Sequence, residues 1–434
     1  MQKSIIAALL LASCSGSVVH ALPSGTQSFA PALAQINNST PPFQAWLPEL
    51  LQQFNQLPQI KAQQAKLKQA ELMMLAADNA VYNPALDVSY EDGVDQTYGI
   101  GISQTLDWGD KRGAATRTAM LQAEILRSDV ALSRSQALAE LLLAIVEQRR
   151  QGKILHFQMQ QLDAAQRQLT IAKQQLQAGL LSQAEHQLIQ LELASRAAEH
   201  AMVEQEAIAA DAKVLMLVGT ASVAFNDFIT ALSVDDSRYV IRSEVTPELP
   251  ALKGAYQQVL LAKWATEQVK ADTAADPTIS FGAEREGDDN KFTLGLSVPL
   301  HLRNNYRDTH AVASSEVAVA EQNYLAQVRV ISQQQQLFQL SFPRLQQRYE
   351  QWRQLVLSSS AGIADALGQQ WQAGDISTSD YLQSQRQLAS SYLAGLSLES
   401  ALYQAWLDWM GASGQLEHYL TAQLSLPAHA KASK

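Results

Sequence analysis

Apolar residues recur at helical spacing along most of this chain, but in two windows the period drops from 3.6 to 2. The first window, Asn83–Arg112, reads NPALDVSYEDGVDQTYGIGISQTLDWGDKR. Leu86, Val88 and Tyr90 alternate there with Asp87, Ser89 and Glu91. Beyond the turn-like EDGVDQ, Tyr98, Ile100, Ile102, Leu106 and Trp108 alternate with Gly99, Gly101, Ser103, Thr105 and Asp107. Strict alternation predicts strands apolar on one face and wet on the other, over about 84–93 and 97–108. The second window repeats the pattern: Ile279, Phe281 and Ala283, the loop GDDN, then Phe292, Leu294, Leu296, Val298 and Leu300, with strands over about 277–286 and 291–300.

The remaining pattern is helical. Phe43–Asp78 reads as two helical pieces divided at Pro58, and Lys111–Gly179 as one long helix rich in strong helix formers. A tight turn at Ala178-Gly179-Leu180-Leu181-Ser182 sends a second helix back to about Val218. Helix resumes over 251–272, runs again from beyond the second strand pair to Gln372, turns at Ala373-Gly374-Asp375-Ile376-Ser377 and returns to about Met410. Some 65 helical residues span roughly 100 Å, far beyond a globular domain's diameter. Residues 22–42 form an extended lead-in, 219–250 a central connector with two prolines, and 411–434 a loose tail.

Three landmarks recur at nearly one spacing. Asn83-Pro84 returns as Asp276-Pro277, an offset of 193; Ile100-Gly101-Ile102-Ser103 returns as Leu294-Gly295-Leu296-Ser297, an offset of 194; Gln177-Ala178-Gly179 with Ser182 returns as Gln372-Ala373-Gly374 with Ser377, an offset of 195. Leu193-Ala194-Ser195 matches Leu388-Ala389-Ser390 in the last register. The chain is therefore a duplicated helix-strand-strand-helix-helix unit, the first within 22–218 and the second within 251–410.

The strands have a physical consequence. Four strands with an apolar face suit a sheet between lipid and water, yet an open sheet leaves unpaired edges, which hydrocarbon does not tolerate. Membrane barrels begin near eight strands, so at least two copies must close a shared one. Glycines on the polar face leave its interior open, and Tyr90, Tyr98 and Trp108 suit an interfacial belt. A soluble β-meander packed on the helices is the competing reading. The helices add a stripe of Leu138, Leu141, Leu142, Ile145 and Val146, which fits side-by-side, coiled-coil-like association into a hollow cylinder.

Composition changes the picture in two respects. The formal charge is −10 and no basic stripe is present, which argues against a nucleic-acid partner. The N-terminus, MQKSIIAALLLASCSGSVVHALPS, is an export leader with Lys3 ahead of an apolar core. Two cleavage readings stand: after Ala21 in Val19-His20-Ala21 (leader 1–21), or before Cys14 in a lipobox-like Leu11-Ala12-Ser13-Cys14 (leader 1–13), which would lipidate Cys14. Cys14 is the sole cysteine, so no intrachain disulfide forms. Beyond the leader no run reaches the roughly 20 apolar residues of a spanning helix.

Catalytic signatures are absent: no phosphate loop, HExxH or nucleophile elbow occurs, and His156, His186, His200, His301 and His310 lack ligand spacing. Neither an enzyme, a cofactor nor a bound metal is expected.

On these residues the chain resembles the TolC family of outer-membrane efflux ducts, over essentially the whole mature length. Gly101-Ile102-Ser103-Gln104-Thr105-Leu106-Asp107-Trp108-Gly109-Asp110-Lys111-Arg112 looks like that family's strand-to-helix junction, especially in its CzcC-like branch, and Val298-Pro299-Leu300 with Arg303-Asn304-Asn305 like the second-half counterpart. The resemblance implies a homotrimer, with a 12-stranded β-barrel in the lipid of a Gram-negative outer membrane over a long periplasmic α-helical coiled-coil tunnel. It also implies an inner-membrane pump, of the RND type, reached through a periplasmic adaptor (membrane fusion) protein. The CzcC-like features point to heavy-metal cations as cargo. A type I protein-secretion duct and a periplasmic coiled-coil adaptor or scaffold are the alternatives. Hairpin tips fall at Gly179 and Gly374, and the acidic entrance ring of the family at Glu185 and Asp380, six residues past each; a further family aspartate is Gln383 here. Carboxylates at a constriction favour cations; as ordinary acidic residues at helix starts, the same pair would favour the helix dipole. Gly109, Lys111, Arg112 and Arg303 are the junction residues.

Overall fold

The computed structural model describes residues 43–93, 96–219 and 245–425. The leader with Cys14, the lead-in, most of the connector and the last nine residues lie outside the described residues. Two helices open the description, α1 (Phe43–Gln56) and α2 (Pro58–Ala77). Strands β1 (Ala85–Asp92) and β2 (Gln96–Thr105) follow, then α3 (Lys111–Gln177) and α4 (Gln183–Val218). The second half repeats the order with α5 (Pro250–Asp272), β3 (Thr278–Glu286), β4 (Asp289–Ser297), α6 (Arg307–Ala373) and α7 (Thr378–Ser413), and closes with α8 (Leu416–Ser425). Both α3 and α6 are 67 residues long, so each reaches about 100 Å.

The strands form one antiparallel sheet in the order β1-β2-β3-β4. Three of its boundaries differ from the periodicity alone. Alternation in sequence continues through Trp108 and Leu300, but β2 stops at Thr105 and β4 at Ser297. Pro277 and Pro299 lack the N–H a ladder needs, so pairing ends there, with Leu106 N–H donating to the Pro277 carbonyl at 2.9 Å. At the other end, Gly287 takes a φ of +57°, which lets a two-residue turn connect Glu286 to Asp289 and starts β4 two residues early.

Below the sheet, α3 is the central helix, in contact with α2, α4, α5, α7 and α8. Its upper part packs on α2 and α5 and its lower part on α4 and α7, while α6 packs on α5 above and on α7 below. At mid-height the helices enclose the main core. Leu138, Leu141 and Leu142 of α3 meet Trp46, Leu50 and Phe54 of α1, Leu252 of α5, Phe338 of α6, and Trp406, Leu407 and Met410 of α7.

The expectation of a loose 411–434 tail is corrected over 411–425; the remainder lies outside the described residues. Helix α7 continues to Ser413 and is capped by Gly414 at φ +77°, with Gln415 N–H donating to the Met410 carbonyl at 3.1 Å. Helix α8 then buries Leu416 and Leu420 completely in the core, and Arg134 grips Glu417 through Nη2–Oε1 at 2.6 Å and Nε–Oε2 at 3.0 Å. The physical reason is the 416, 419, 420 spacing, a short apolar stripe that ten residues suffice to bury.

Candidate functional site

Three places carry the functional geometry: the sheet, the junction beneath it and the hairpin tips. In the sheet, paired positions match in character. Leu86 faces Ile102, Val88 faces Ile100, Ile102 faces Phe281 and Phe281 faces Leu294, all on one side. That side covers no core: Val88 is 74% exposed and Leu294 78% exposed. The opposite side carries Asp87, Ser89, Gly99, Gly101, Ser103, Ser280, Gly282, Thr293 and Gly295, with Ser103 Oγ donating to Asp87 at 3.1 Å. Among the described residues, edges β1 and β4 have no partner strand.

The junction is built around one carboxylate. Asp276, with a side chain 5% exposed, accepts at Oδ2 from Lys111 Nζ at 2.7 Å and from Tyr82 Oη at 2.7 Å. Its Oδ1 accepts from the Trp108 amide at 3.2 Å and the Gly109 amide at 3.4 Å. Lys111 Nζ also donates to Tyr82 Oη at 3.0 Å. Burial opposes the charge on both partners, but the hydrogen bonds to Asp276 and Tyr82 outweigh it and raise the Lys111 ammonium above its ordinary value. Against the same opposing burial, the bonds from Lys111 and Tyr82 hold the Asp276 carboxyl below the usual carboxylate range. One latch thus joins the approach to β1, the exit from β2 and the approach to β3.

The other junction residues do different work. Gly109 is pressed against α5: a Cβ there would lie 2.6 Å from the Ala271 carbonyl oxygen and 2.6 Å from the Ala274 Cβ. Asp107 caps α3, accepting from the Lys111 amide at 2.7 Å and the Arg112 amide at 2.9 Å, while Arg112 reaches Asp78 at 3.1 Å. Asp110 enters the helix through the left-handed region at φ 57°. In the second half Tyr306 does the same at φ 57°, with Asn304 Oδ1 accepting from its amide at 2.9 Å, and Arg303 is exposed. Asp276 was visible in the sequence as a landmark of the duplication, an Asp where the first half has Asn83. That swap was the signal of its role.

At the tips the two hairpins lie together. Gly179 and Gly374 take φ of +72° and +80°, and each terminates its long helix. Glu185 and Asp380 sit at the helix starts beyond. Ser182 Oγ accepts from the Glu185 amide at 3.2 Å while Glu185 accepts from the Ser182 amide at 3.0 Å; Ser377 Oγ accepts from the Asp380 amide at 3.1 Å and donates to its carboxylate at 2.7 Å. The Ser182 hydroxyl and amide hold Glu185 below the ordinary range. Thr378 Oγ1 donates to Glu185 at 3.4 Å, linking the second hairpin to the first.

A small apolar cluster fixes this end, with Trp371 stacked on Tyr381 at 5.1 Å over Ala172, Ile189 and Leu382. Higher up, buried Glu192 binds Arg196 of its own helix at 2.8 Å and Arg386 of α7 at 3.2 Å. Asp380 and Gln383 are exposed and line an open groove with Leu367 of α6.

No protein-family model matches the chain, and no curated protein does. Solved structures match over nearly its whole length. The outer-membrane channel OprN is 16% identical, with a TM-score of 0.71 over 93% of this chain and 99% of that one. The Campylobacter jejuni CmeC outer membrane channel is 12% identical, with a TM-score of 0.68 over 96% and 97%. The outer membrane protein VceC of Vibrio cholerae is 17% identical, with a TM-score of 0.68 over 87% and 96%. The fold of this chain is the one shared by these outer-membrane channels, the TolC type.

Proposed function

We propose that this chain is one third of an exit duct in a Gram-negative outer membrane, three copies closing a 12-stranded barrel from their four strands each. One observation carries the reading: among the described residues the sheet's apolar face is bare and both its edges are open, while its polar face is lined by Gly, Ser, Thr and Asp. In water that face would be an aggregation surface; in lipid, with edges closed by further copies, it is a barrel wall. Tyr98, near the start of β2, and Trp108, just past its end, are both exposed, as aromatic residues flanking a barrel's apolar band would be.

The helices support the same assembly. Within the chain α4 and α6 stand at the ends of the helical wall, and they expose Leu188, Leu191, Ile208 and Leu215, and Val312, Val319, Leu337 and Leu340. Flanking copies cover these and continue the wall into a tunnel. The pump and adaptor dock at the periplasmic end, where Gly179 and Gly374 mark the tips, and three copies of Glu185 and Asp380 form the acidic entrance. The pump is of the RND type and the cargo is heavy-metal cations, a choice resting on the CzcC-like junction Gly109–Arg112.

The experiment is fractionation followed by electrophoresis. The protein is expected in the outer membrane as a heat-labile trimer, and its removal is expected to sensitise cells to zinc, cobalt or copper more than to drugs. Recovery solely from the soluble periplasm would reject the duct; drug sensitivity alone would reject the metal cargo.

A further inference from the structure

The duplication extends to the hydrogen-bond ladder. In the first hairpin Leu86 pairs with Ile102 and Val88 with Ile100; in the second Ile279 pairs with Leu296 and Phe281 with Leu294. Adding 193 to the β1 number and 194 to the β2 number converts the first set into the second. The hairpins are therefore the same object, and the β2–β3 pairing is the rule by which one hairpin joins the next.

Resting on the shared-barrel reading above, we infer that the next copy's β1 joins β4 by that same rule, which fixes the register of the seam between copies. The observed pairs Ile102–Phe281, Ser103–Ser280 and Gly99–Glu284 become Leu296 with Val88, Ser297 with Asp87 and Thr293 with Glu91. Two independent features agree. The first is facial: Leu294, Leu296 and Val298 meet Tyr90, Val88 and Leu86, as a half-lipid, half-water sheet requires, and only Phe292 at the loop end meets a polar residue, Asp92. The second lies below the ladder. Leu106 N–H bonds Pro277 and Leu302 N–H bonds the Leu300 carbonyl at 3.0 Å, as Trp108 N–H bonds that of Leu106 at 3.0 Å. The two exits from the sheet are thus built alike. The rule sets the next copy's Pro84 beside Leu300 and its exposed Asn83 in the place of Asp276. A slip of two residues keeps the faces matched but shears this junction by about 7 Å.

Cysteine cross-linking in isolated outer membranes tests the register. Ser297→Cys is combined in one chain with Ala85→Cys, Asp87→Cys or Ser89→Cys, all on the polar face. Because β1 and β4 are the outer strands of a four-stranded sheet, about 14 Å apart, a disulfide between them within one chain is excluded. The Asp87→Cys pair is expected to give covalent dimers and trimers roughly tenfold faster than the diagonal pairs, whose Cβ atoms sit about 7–8 Å apart. Should that variant fail to assemble, Glu91→Cys with Thr293→Cys reads the same register. Faster bridging by Ala85→Cys or Ser89→Cys overturns the register while leaving the shared barrel standing. No bridging from any pair in membrane-inserted protein overturns both.

Discussion

The Asp276 latch allows a quantitative test. Replacing Asp276 by Asn keeps an oxygen for the Trp108 and Gly109 amides but strips the counter-charge from Lys111, whose side chain is only 17% exposed. An ammonium left without its partner in such a site costs about 3–5 kcal/mol. Lys111→Met leaves the carboxylate with Tyr82 Oη and two amides still donating, so its cost sits near the lower end, about 3 kcal/mol. Combining the changes removes both charges from the site together. The double variant is then expected to lie well above the sum of the singles, with an interaction energy of about 2–3 kcal/mol. Guanidinium unfolding of detergent-solubilised protein, followed by tryptophan fluorescence at one fixed protein concentration, supplies the four midpoints and slopes. The pH dependence has a defined sign. The depressed Asp276 contributes fully above the ordinary aspartate value of about 3.9 and loses this as pH falls through its lower folded value; the raised Lys111 contributes fully below about 10.4 and loses this as pH rises through its higher one. The latch's contribution is thus flat from about pH 5 to about pH 10. A double variant as unstable as the two singles added together would refute the coupling.

Other expectations follow from the same structure. Truncation before Leu416 removes two fully buried leucines and the Arg134–Glu417 pair, and is expected to abolish the heat-labile oligomer, whereas truncation after Ser425 leaves it intact on the same gel. Gly395→Ala places a Cβ within about 2 Å of the Trp352 ring, so α6 and α7 must part, at about 1–3 kcal/mol seen as a lowered thermal midpoint by circular dichroism. Ser377→Ala removes the acceptor for the Asp380 amide and should cost about 1 kcal/mol of hairpin stability by the same measurement. Replacing Glu185 and Asp380 together by Ala is expected to reduce cation preference in single-channel recordings; unchanged selectivity would mean that these carboxylates do not line the entrance.

Much of this architecture was legible because its signals are periodic. Alternation located each hairpin, and dense helix formers located α3 and α6, where Gly152 in the one and Pro343 in the other are too isolated to break the pattern. Strand ends were less legible: Leu106, Trp108, Val298 and Leu300 keep the alternation, and only the missing amides of Pro277 and Pro299 end the ladder. Helix α8 escaped because ten residues carry too few turns for periodicity to stand out, while its stability comes from a groove built by α1, α3 and α7. Of the site, Gly109 and Lys111 were visible as a motif, but not the reason for them. Ala271 against Gly109 and Asp276 against Lys111 are contacts across more than 150 residues, and no local pattern encodes them. Glu185 and Asp380 were placed by their distance from the tip glycines, whereas their capping partners Ser182 and Ser377 could have been read from the Ser-x-x-acidic spacing.

The latch also sets an order of events during biogenesis. The amide of Trp108 and the carboxylate of Asp276 lie 168 positions apart, so the β2 exit stays uncapped until the start of the second half has been made. At ordinary synthesis rates that delay is on the order of ten to thirty seconds. Throughout it, the first hairpin presents a greasy face and an unpaired edge to its surroundings, the conditions under which strands pair with the wrong neighbour. The step that brings Asp276 to Trp108 is also the one that lays β3 along β2, so the junction and the inner edge of the first hairpin close together.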